Sequence, residues 1–98
     1  MNITAKKENG TLTIALSGRL DTMTAPELEA ELKDGLEGIE ELTFDLDKLD
    51  YISSAGLRVL LAAQKTMNRQ GSMKVQHPNE VIAEIFEVTG FTDILTIE

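Results

Sequence analysis

Two hydrophobic periodicities alternate along this chain. Residues 11–17 and 42–46 place apolar side chains at every second position, which is typical of a β-strand with one buried face. Leu28, Leu32 and Leu36 instead repeat at intervals of four, which indicates an amphipathic helix. A chain that alternates such strands with helices is restricted to an α/β or α+β sheet, with helices on one face or on both. In an open sheet of this kind, ligands and partners bind at the carboxyl ends of the strands.

Turn and cap residues predict where each element begins and ends. Asn9 and Gly10 separate residues 3–7 from the strand that follows, so the two segments form a predicted hairpin. Thr24 and Glu27 have the spacing of a capping box, so we expect the first helix to begin there. The other predicted boundaries are a first helix ending near Gly35 or Gly38, a second helix over residues 55–70 closed by Gly71, a strand over residues 73–77, a third helix from Pro78-Asn79 to Gly90, and a strand or an extended tail over residues 91–97. The predicted packing faces are Leu57, Leu60, Leu61, Ala63 and Met67 on the second helix, and Val81, Ile82, Ile85 and Phe86 on the third.

Composition predicts a single soluble domain over residues 1–98. A chain of 98 residues with 42% hydrophobic side chains buries one core of ordinary size. The chain has no cysteine, so it forms no disulfide or thiolate metal site, which suits a reducing compartment. There is no signal-peptide pattern and no stretch of membrane-spanning length, so we expect a cytoplasmic protein without a membrane partner. The net charge of −8 argues against nucleic acid as a partner, because nucleic-acid binding needs a basic surface.

The charges are unevenly distributed along the chain. Residues 1–50 carry 12 acidic and five basic side chains, residues 51–79 carry four basic side chains and no acidic one, and residues 80–98 carry five acidic ones. The basic window includes Arg58, Lys65 and Arg69, which share one face of the predicted second helix. This face is either an ordinary solvated face or a surface that docks on an acidic patch of a partner.

The basic window opens with residues 53–57 (SSAGL), where an acidic strand end turns into an apolar helix. The first N–H groups of a helix have no intrahelical partner, and the helix dipole adds roughly half a positive charge there. Ser53 and Ser54 therefore lie where a hydroxyl caps the helix or where a phosphate is well accommodated. Spacing alone leaves both interpretations open.

Enzyme chemistry has little support in the sequence. His77 is the only histidine, and no sequence feature ties it to Ser54 as a general base. Asp45, Asp47 and Asp50 lack the central glycine and closing glutamate of a calcium loop, so they form either a solvated acidic loop or a weak Mg²⁺ site. We expect no enzyme, no cofactor and no dedicated metal site.

Three segments resemble the STAS family, which covers sulfate transporter cytoplasmic domains and bacterial anti-sigma factor antagonists. They are residues 18–21 (GRLD), 44–57 (FDLDKLDYISSAGL) and 85–91 (IFEVTGF), and the similarity spans nearly the whole chain. The resemblance implies a mixed, mostly parallel sheet with an N-terminal hairpin. It also implies an antagonist that binds a serine kinase doubling as the anti-sigma factor, and so frees a sigma factor. Phosphorylation of one serine switches such antagonists off, and a serine phosphatase is then expected as a second partner.

The same resemblance assigns roles to particular residues. The family motif is Asp-Ser-Ser/Thr-Gly-Leu with the serine after the aspartate as acceptor, which places the phosphoacceptor at Ser54. Ser53 stands where the family has its aspartate and is the second choice as acceptor. The residues expected to bind the partner are Asp21, Ser53, Ala55, Gly56, Leu57 and Arg58. The alternative functions are a STAS accessory subunit of a transport or stress-signalling assembly without a phosphorylation switch, and a ligand-binding module.

Overall fold

A four-stranded sheet in the order β1-β2-β3-β4 forms the centre of the molecule, in a computed structural model that describes all 98 residues. The elements are β1 (Asn2–Glu8), β2 (Thr11–Leu20), α1 (Ala25–Gly35), β3 (Glu41–Ile52), α2 (Ser54–Gln70), β4 (Ser72–Gln76), α3 (Glu80–Val88) and a 3₁₀ turn (Phe91–Asp93). β1 pairs antiparallel with β2, whereas β2–β3 and β3–β4 are parallel. The mixed, mostly parallel sheet with an N-terminal hairpin is therefore confirmed.

The two ends of the chain add to opposite edges of the sheet. Asn9 and Gly10 adopt positive φ angles of 47° and 84°, which suits the two-residue turn of a β-hairpin. At the other edge, Ile97 makes an isolated parallel bridge to Val75. The Glu98 N–H donates to the Val75 carbonyl at 2.8 Å, so the tail is a single bridge beside β4.

The core lies on one face of the sheet. The alternation in β2 buries Leu12, Ile14 and Leu16, and the intervening Thr11 and Thr13 stay partly accessible. The buried apolar residues of the strands and of all three helices belong to one cluster of 24 side chains. The helices therefore cover the apolar face, and the opposite face carries polar side chains such as Thr13, Thr43 and Asp45. No helix is both long and apolar enough to cross a membrane.

The predicted capping box at the start of α1 does not form. The Thr24 side chain makes no hydrogen bond to the helix. Its hydroxyl instead donates to the Arg19 carbonyl at 2.9 Å and accepts from the Asp21 N–H at 2.9 Å. The tertiary contact with the end of β2 takes the hydroxyl away from the cap that its spacing predicts.

The packing faces of α2 and α3 differ from the prediction at their margins. In α3, Ile82 and Phe86 are fully buried and Ile85 is half-buried, but Val81 is 53% exposed and is not part of the core. Val81 lies about 100° around the helix from the buried Ile82, at the margin of the apolar face, and this margin faces solvent. In α2, Leu61 is only half-buried, and Val59 is buried instead because α2 packs against α1 as well as the sheet.

Candidate functional site

The turn after β2 and the start of α2 lie side by side at the carboxyl edge of the sheet. Leu20 pairs with Ile52 at the ends of β2 and β3. The Ser53 N–H donates to the Leu20 carbonyl at 2.9 Å. The expected proximity of the Asp21 loop and the serine loop is therefore confirmed.

Ser53 caps α2 and leaves Ser54 free. The Ser53 backbone is extended, and its hydroxyl accepts the Gly56 N–H at a long 3.4 Å. Ser54 is the first helical residue, its side chain is exposed, and its hydroxyl has no hydrogen bond to another residue. The N–H groups of Ser54 and Ala55 also have no partner, because the helical series begins with Leu57 donating to Ser53. The acceptor predicted from the sequence is thus accessible and lies beside free donors.

Gly56 and Leu57 hold this helix start against the sheet. A Cβ atom on Gly56 would lie 2.7 Å from Leu20 Cγ and 2.8 Å from Ile52 Cγ1, which is far inside van der Waals contact. Leu57 is buried in the core. Of the residues expected to bind a partner, Gly56 and Leu57 are therefore buried beneath the surface and pack α2 against the sheet. Asp21, Ser53 and Ala55 are half-buried, and Arg58 is the exposed member of this set.

Asp21 organises the turn beside the serines. Its Oδ1 accepts the N–H groups of Met23 at 3.0 Å and Thr24 at 3.1 Å. Burial raises the pKa of Asp21, but hydrogen bonds from the Thr24 and Met23 N–H groups, the Thr24 hydroxyl and the nearby Arg19 outweigh it and hold the pKa below its ordinary value. The carboxylate is therefore ionised at neutral pH and fixes the shape of the turn.

Two further residues at this edge were not predicted from the sequence. The Arg19 guanidinium lies over the Tyr51 ring at 4.6 Å from its centroid and 3.7 Å from the Asp21 carboxylate. The parallel register places Arg19 directly beside Tyr51, which makes the cation–π contact possible. The only sequence signal was that both residues lie in the segments that carry the family resemblance.

His77 is held elsewhere in the molecule. Its Nδ1 lies 3.1 Å from Asp45 Oδ1, and its backbone has a positive φ of 59° at the end of β4. The hydrogen bonds from His77 and the Asp47 N–H lower the pKa of Asp45 against the opposing effect of burial. Asp45 is seven residues from the end of β3, about 20 Å at the usual rise of a strand. His77 is therefore too far from Ser54 to act as its base.

Two further features of the molecule bear on a catalytic or metal site, the clustering of metal-ligating side chains and the position of the largest groove relative to the serine edge. The structure brings together no group of three or more histidine, cysteine or acidic side chains that could hold a metal ion. The largest groove, about 610 Å³, lies between α1 and α2, and its lining includes Leu32, Leu36, Val59 and Thr66. None of the residues expected to form the site lines this groove.

The fold and the site together define a small α/β domain that presents one free serine at a helix start. A family model described as "Mlab, STAS domain" matches residues 3–96. The putative anti-sigma factor antagonist BtrV of Bordetella bronchiseptica is 37% identical over 99% of this chain and 85% of its own length. The chain belongs to the STAS domain family.

Solved structures agree on the fold. The anti-sigma factor antagonist SpoIIAA in its unphosphorylated form has a TM-score of 0.87 at 15% identity, covering 99% of this chain and 88% of that one. The Bacillus cell fate determinant SpoIIAA in its phosphorylated form has a TM-score of 0.78 at 15% identity, covering 99% of this chain and 91% of that one.

Proposed function

We propose that this chain is an anti-sigma factor antagonist. It binds a serine kinase that is also the anti-sigma factor, frees the sigma factor, and is switched off when that kinase phosphorylates Ser54. The observation that carries the proposal is the exposed Ser54 hydroxyl, without a hydrogen-bond partner, at the first position of α2. The support from outside the structure is a relative of similar length that is named as a putative antagonist.

Ser54 is a better acceptor than Ser53 for a structural reason. The Ser53 hydroxyl is half-buried and already accepts the Gly56 N–H. Aspartate, which the family motif has at this place, is an equally good N-cap. Ser53 therefore substitutes for the cap function of the aspartate, and the hydroxyl that a kinase reaches is that of Ser54.

A phosphate on Ser54 acts at the surface and leaves the fold in place. It adds about −1.5 to −2 charges and three strong acceptor oxygens at neutral pH. The free N–H groups and the dipole of α2 stabilise this charge, and the first turn of α2 carries no acidic residue to repel it. The new anion blocks docking by its bulk, its hydration and its charge. That SpoIIAA, of the same fold, is known in both forms supports a switch without refolding.

Amide NMR spectra of the two forms test this part of the mechanism. We expect shifts concentrated in residues 50–60 and in the adjoining turn at 21–24. Shifts throughout the sheet and α3 would contradict a switch confined to the surface.

Arg58, Lys65 and Arg69 form the basic stripe of α2, and all three are exposed. We assign this stripe to an acidic patch on the kinase, because complementary charge accelerates association and makes it sensitive to salt. Arg58→Glu should slow association and flatten its salt dependence, as measured by stopped-flow mixing. An unchanged association rate at low salt would exclude the stripe from the docking surface.

The binding test compares two added negative charges. Ser54→Glu should weaken the affinity for the purified serine kinase anti-sigma factor of the same organism by at least about tenfold in calorimetry. Thr92→Glu, an exposed position in the 3₁₀ turn, is the matched control and should bind like the wild type. If the wild-type protein does not bind the kinase at all, the proposed function is wrong.

The second candidate function is an accessory subunit of a larger assembly, without a phosphorylation switch. The observation that favours it is the matching family model, whose description names Mlab and no anti-sigma factor antagonist. A wild-type protein that takes up no phosphate from the kinase and ATP, but co-purifies with transport proteins, would support this candidate over the first.

A further inference from the structure

Met23 is the most exposed large apolar side chain of the molecule. Its exposed fraction is 85%, whereas the others with large exposure, Val81, Val88 and Ile94, lie on α3 and in the segment after it. An apolar side chain in water gains free energy when a partner covers it. Exposure alone assigns no role to a single residue, so the position and rigidity of Met23 carry the argument.

The turn that carries Met23 is tightly hydrogen-bonded. The Asp21 carboxylate accepts the Met23 N–H at 3.0 Å, and the Asp21 carbonyl accepts the Ala25 N–H at 2.8 Å. The Thr24 hydroxyl ties the turn back to the Arg19 carbonyl at 2.9 Å. The backbone at Met23 is therefore ordered before any partner arrives, and little backbone entropy is lost on binding.

Met23 also lies within reach of any enzyme that modifies Ser54. Leu20 accepts the Ser53 N–H, and three residues of chain from Leu20 to Met23 span at most about 10 Å. A kinase must bring its transferable phosphoryl group to the Ser54 hydroxyl, and a stable interface covers about 800 Å² on each partner, a patch roughly 30 Å across. A patch of that size centred on Ser54 includes the turn.

We propose that Met23 is an apolar anchor of the docking surface and inserts into a hydrophobic pocket on the serine kinase anti-sigma factor. The inference rests on the proposed function and adds a residue outside the serine motif. The Arg19–Tyr51 pair lies beside the turn and supplies the polar and aromatic rim. Methionine adapts its shape to a pocket, and Met, Tyr and Arg are enriched at protein interfaces.

The test substitutes Met23 and an equally exposed control. Met23→Asp should weaken kinase binding by about 10- to 100-fold, as expected for a side chain that the partner buries in the complex. Met23→Leu, which keeps an apolar side chain, should bind within about threefold of the wild type. The matched control is Val88→Asp on α3, where Val88 is 75% exposed, and it should bind like the wild type.

The outcomes separate this inference from the proposed function. If the wild type binds the kinase and the affinity of Met23→Asp is within about twofold of the wild-type affinity, Met23 is not an anchor, and the proposed function still stands. A wild type that neither binds the kinase nor accepts phosphate would overturn both. Because Met23 is 85% exposed, Met23→Asp and Met23→Leu should unfold at the wild-type urea concentration, which excludes misfolding as the cause of any loss of binding.

Discussion

The starts of α2 and α3 follow the same plan but are completed differently. Each has an extended cap residue whose side chain accepts the N–H three residues on, Ser53 from Gly56 and Asn79 from Ile82. The distance is 3.4 Å in α2 and 2.8 Å in α3. Both side chains therefore cap their helix, but the hydrogen bond is shorter in α3 than in α2.

The start of α3 is less suited than that of α2 to an added anion. The Asn79 amide also donates to the Leu49 carbonyl at 3.1 Å and the Asp50 carbonyl at 3.3 Å. Glu80 supplies a negative charge in the first turn of α3. In α2 the first turn has no acid, and the Ser54 hydroxyl is free. Glu80 therefore opposes a further negative charge at the start of α3, whereas no acidic side chain does so in the first turn of α2.

The largest expected effect on stability is at Ile82, the third residue of α3. Ile82 is fully buried, so Ile82→Ala should lower the free energy of unfolding by about 2–4 kcal/mol through a core cavity. Its exposed neighbour provides the control, since Val81→Ala should change stability by less than about 0.5 kcal/mol. Urea denaturation measures both, and equal losses would contradict the assigned packing face of α3.

Gly56 is the third residue of α2, and a larger side chain there should destabilise the protein by overpacking. Gly56→Ala places a methyl group against Leu20 and Ile52, and should cost about 1–3 kcal/mol. Gly35→Ala is the matched control, because a Cβ there meets only Leu12 Cδ2 at 3.9 Å. That control should be neutral or stabilising by up to about 1 kcal/mol. A harmless Gly56→Ala would show that α2 does not press on the strand ends.

The caps themselves should differ by a smaller margin. Asn79→Ala should lower the free energy of unfolding by about 1–2 kcal/mol, because it removes a short cap and two contacts to β3. Ser53→Ala should cost only about 0.5–1 kcal/mol, since its cap is long. A larger loss for Ser53→Ala in the same urea titration would reverse the comparison.

The smallest expected effect is the pH dependence of stability that Asp21 contributes, in the turn beside the start of α2. The pKa of Asp21 is lower in the folded protein than in the unfolded chain. Its contribution to stability is therefore present above about pH 4 and is lost as the pH falls through the folded-state pKa. Asp21→Asn should reduce the difference between the free energies of unfolding at pH 3 and at pH 7. Asn79→Ala should lower the free energy of unfolding equally at both pH values. An Asp21→Asn protein that keeps the full wild-type acid sensitivity would contradict the role of this carboxylate in the turn.

The parts of the fold that follow from local periodicity were predictable from the sequence. The strands β2 and β3, the three helices and the closeness of the Asp21 and Ser53 loops all follow from spacing and from the rule for parallel strand ends. What could not be predicted depends on tertiary partners. The Thr24 hydroxyl donates to the Arg19 carbonyl and does not cap α1, and Val81 falls outside the core because the margin of α3 that carries it faces solvent.

The candidate site shows the same division. The position of Ser54 at a helix start was predictable, because strand and helix patterns meet there. The exposure of Met23 and the stacking of Arg19 on Tyr51 depend on the three-dimensional course of a turn and on strand register. No periodicity encodes either of them.

The proposed switch is the Ser54 hydroxyl at the start of α2. Intact-mass spectrometry after incubation with the serine kinase anti-sigma factor and ATP tests this assignment most directly. The wild type and Ser53→Ala should each gain the mass of one phosphoryl group, whereas Ser54→Ala should gain none. Phosphate uptake by Ser54→Ala, or its loss in Ser53→Ala alone, would contradict the assignment of Ser54 as the acceptor and Ser53 as the cap.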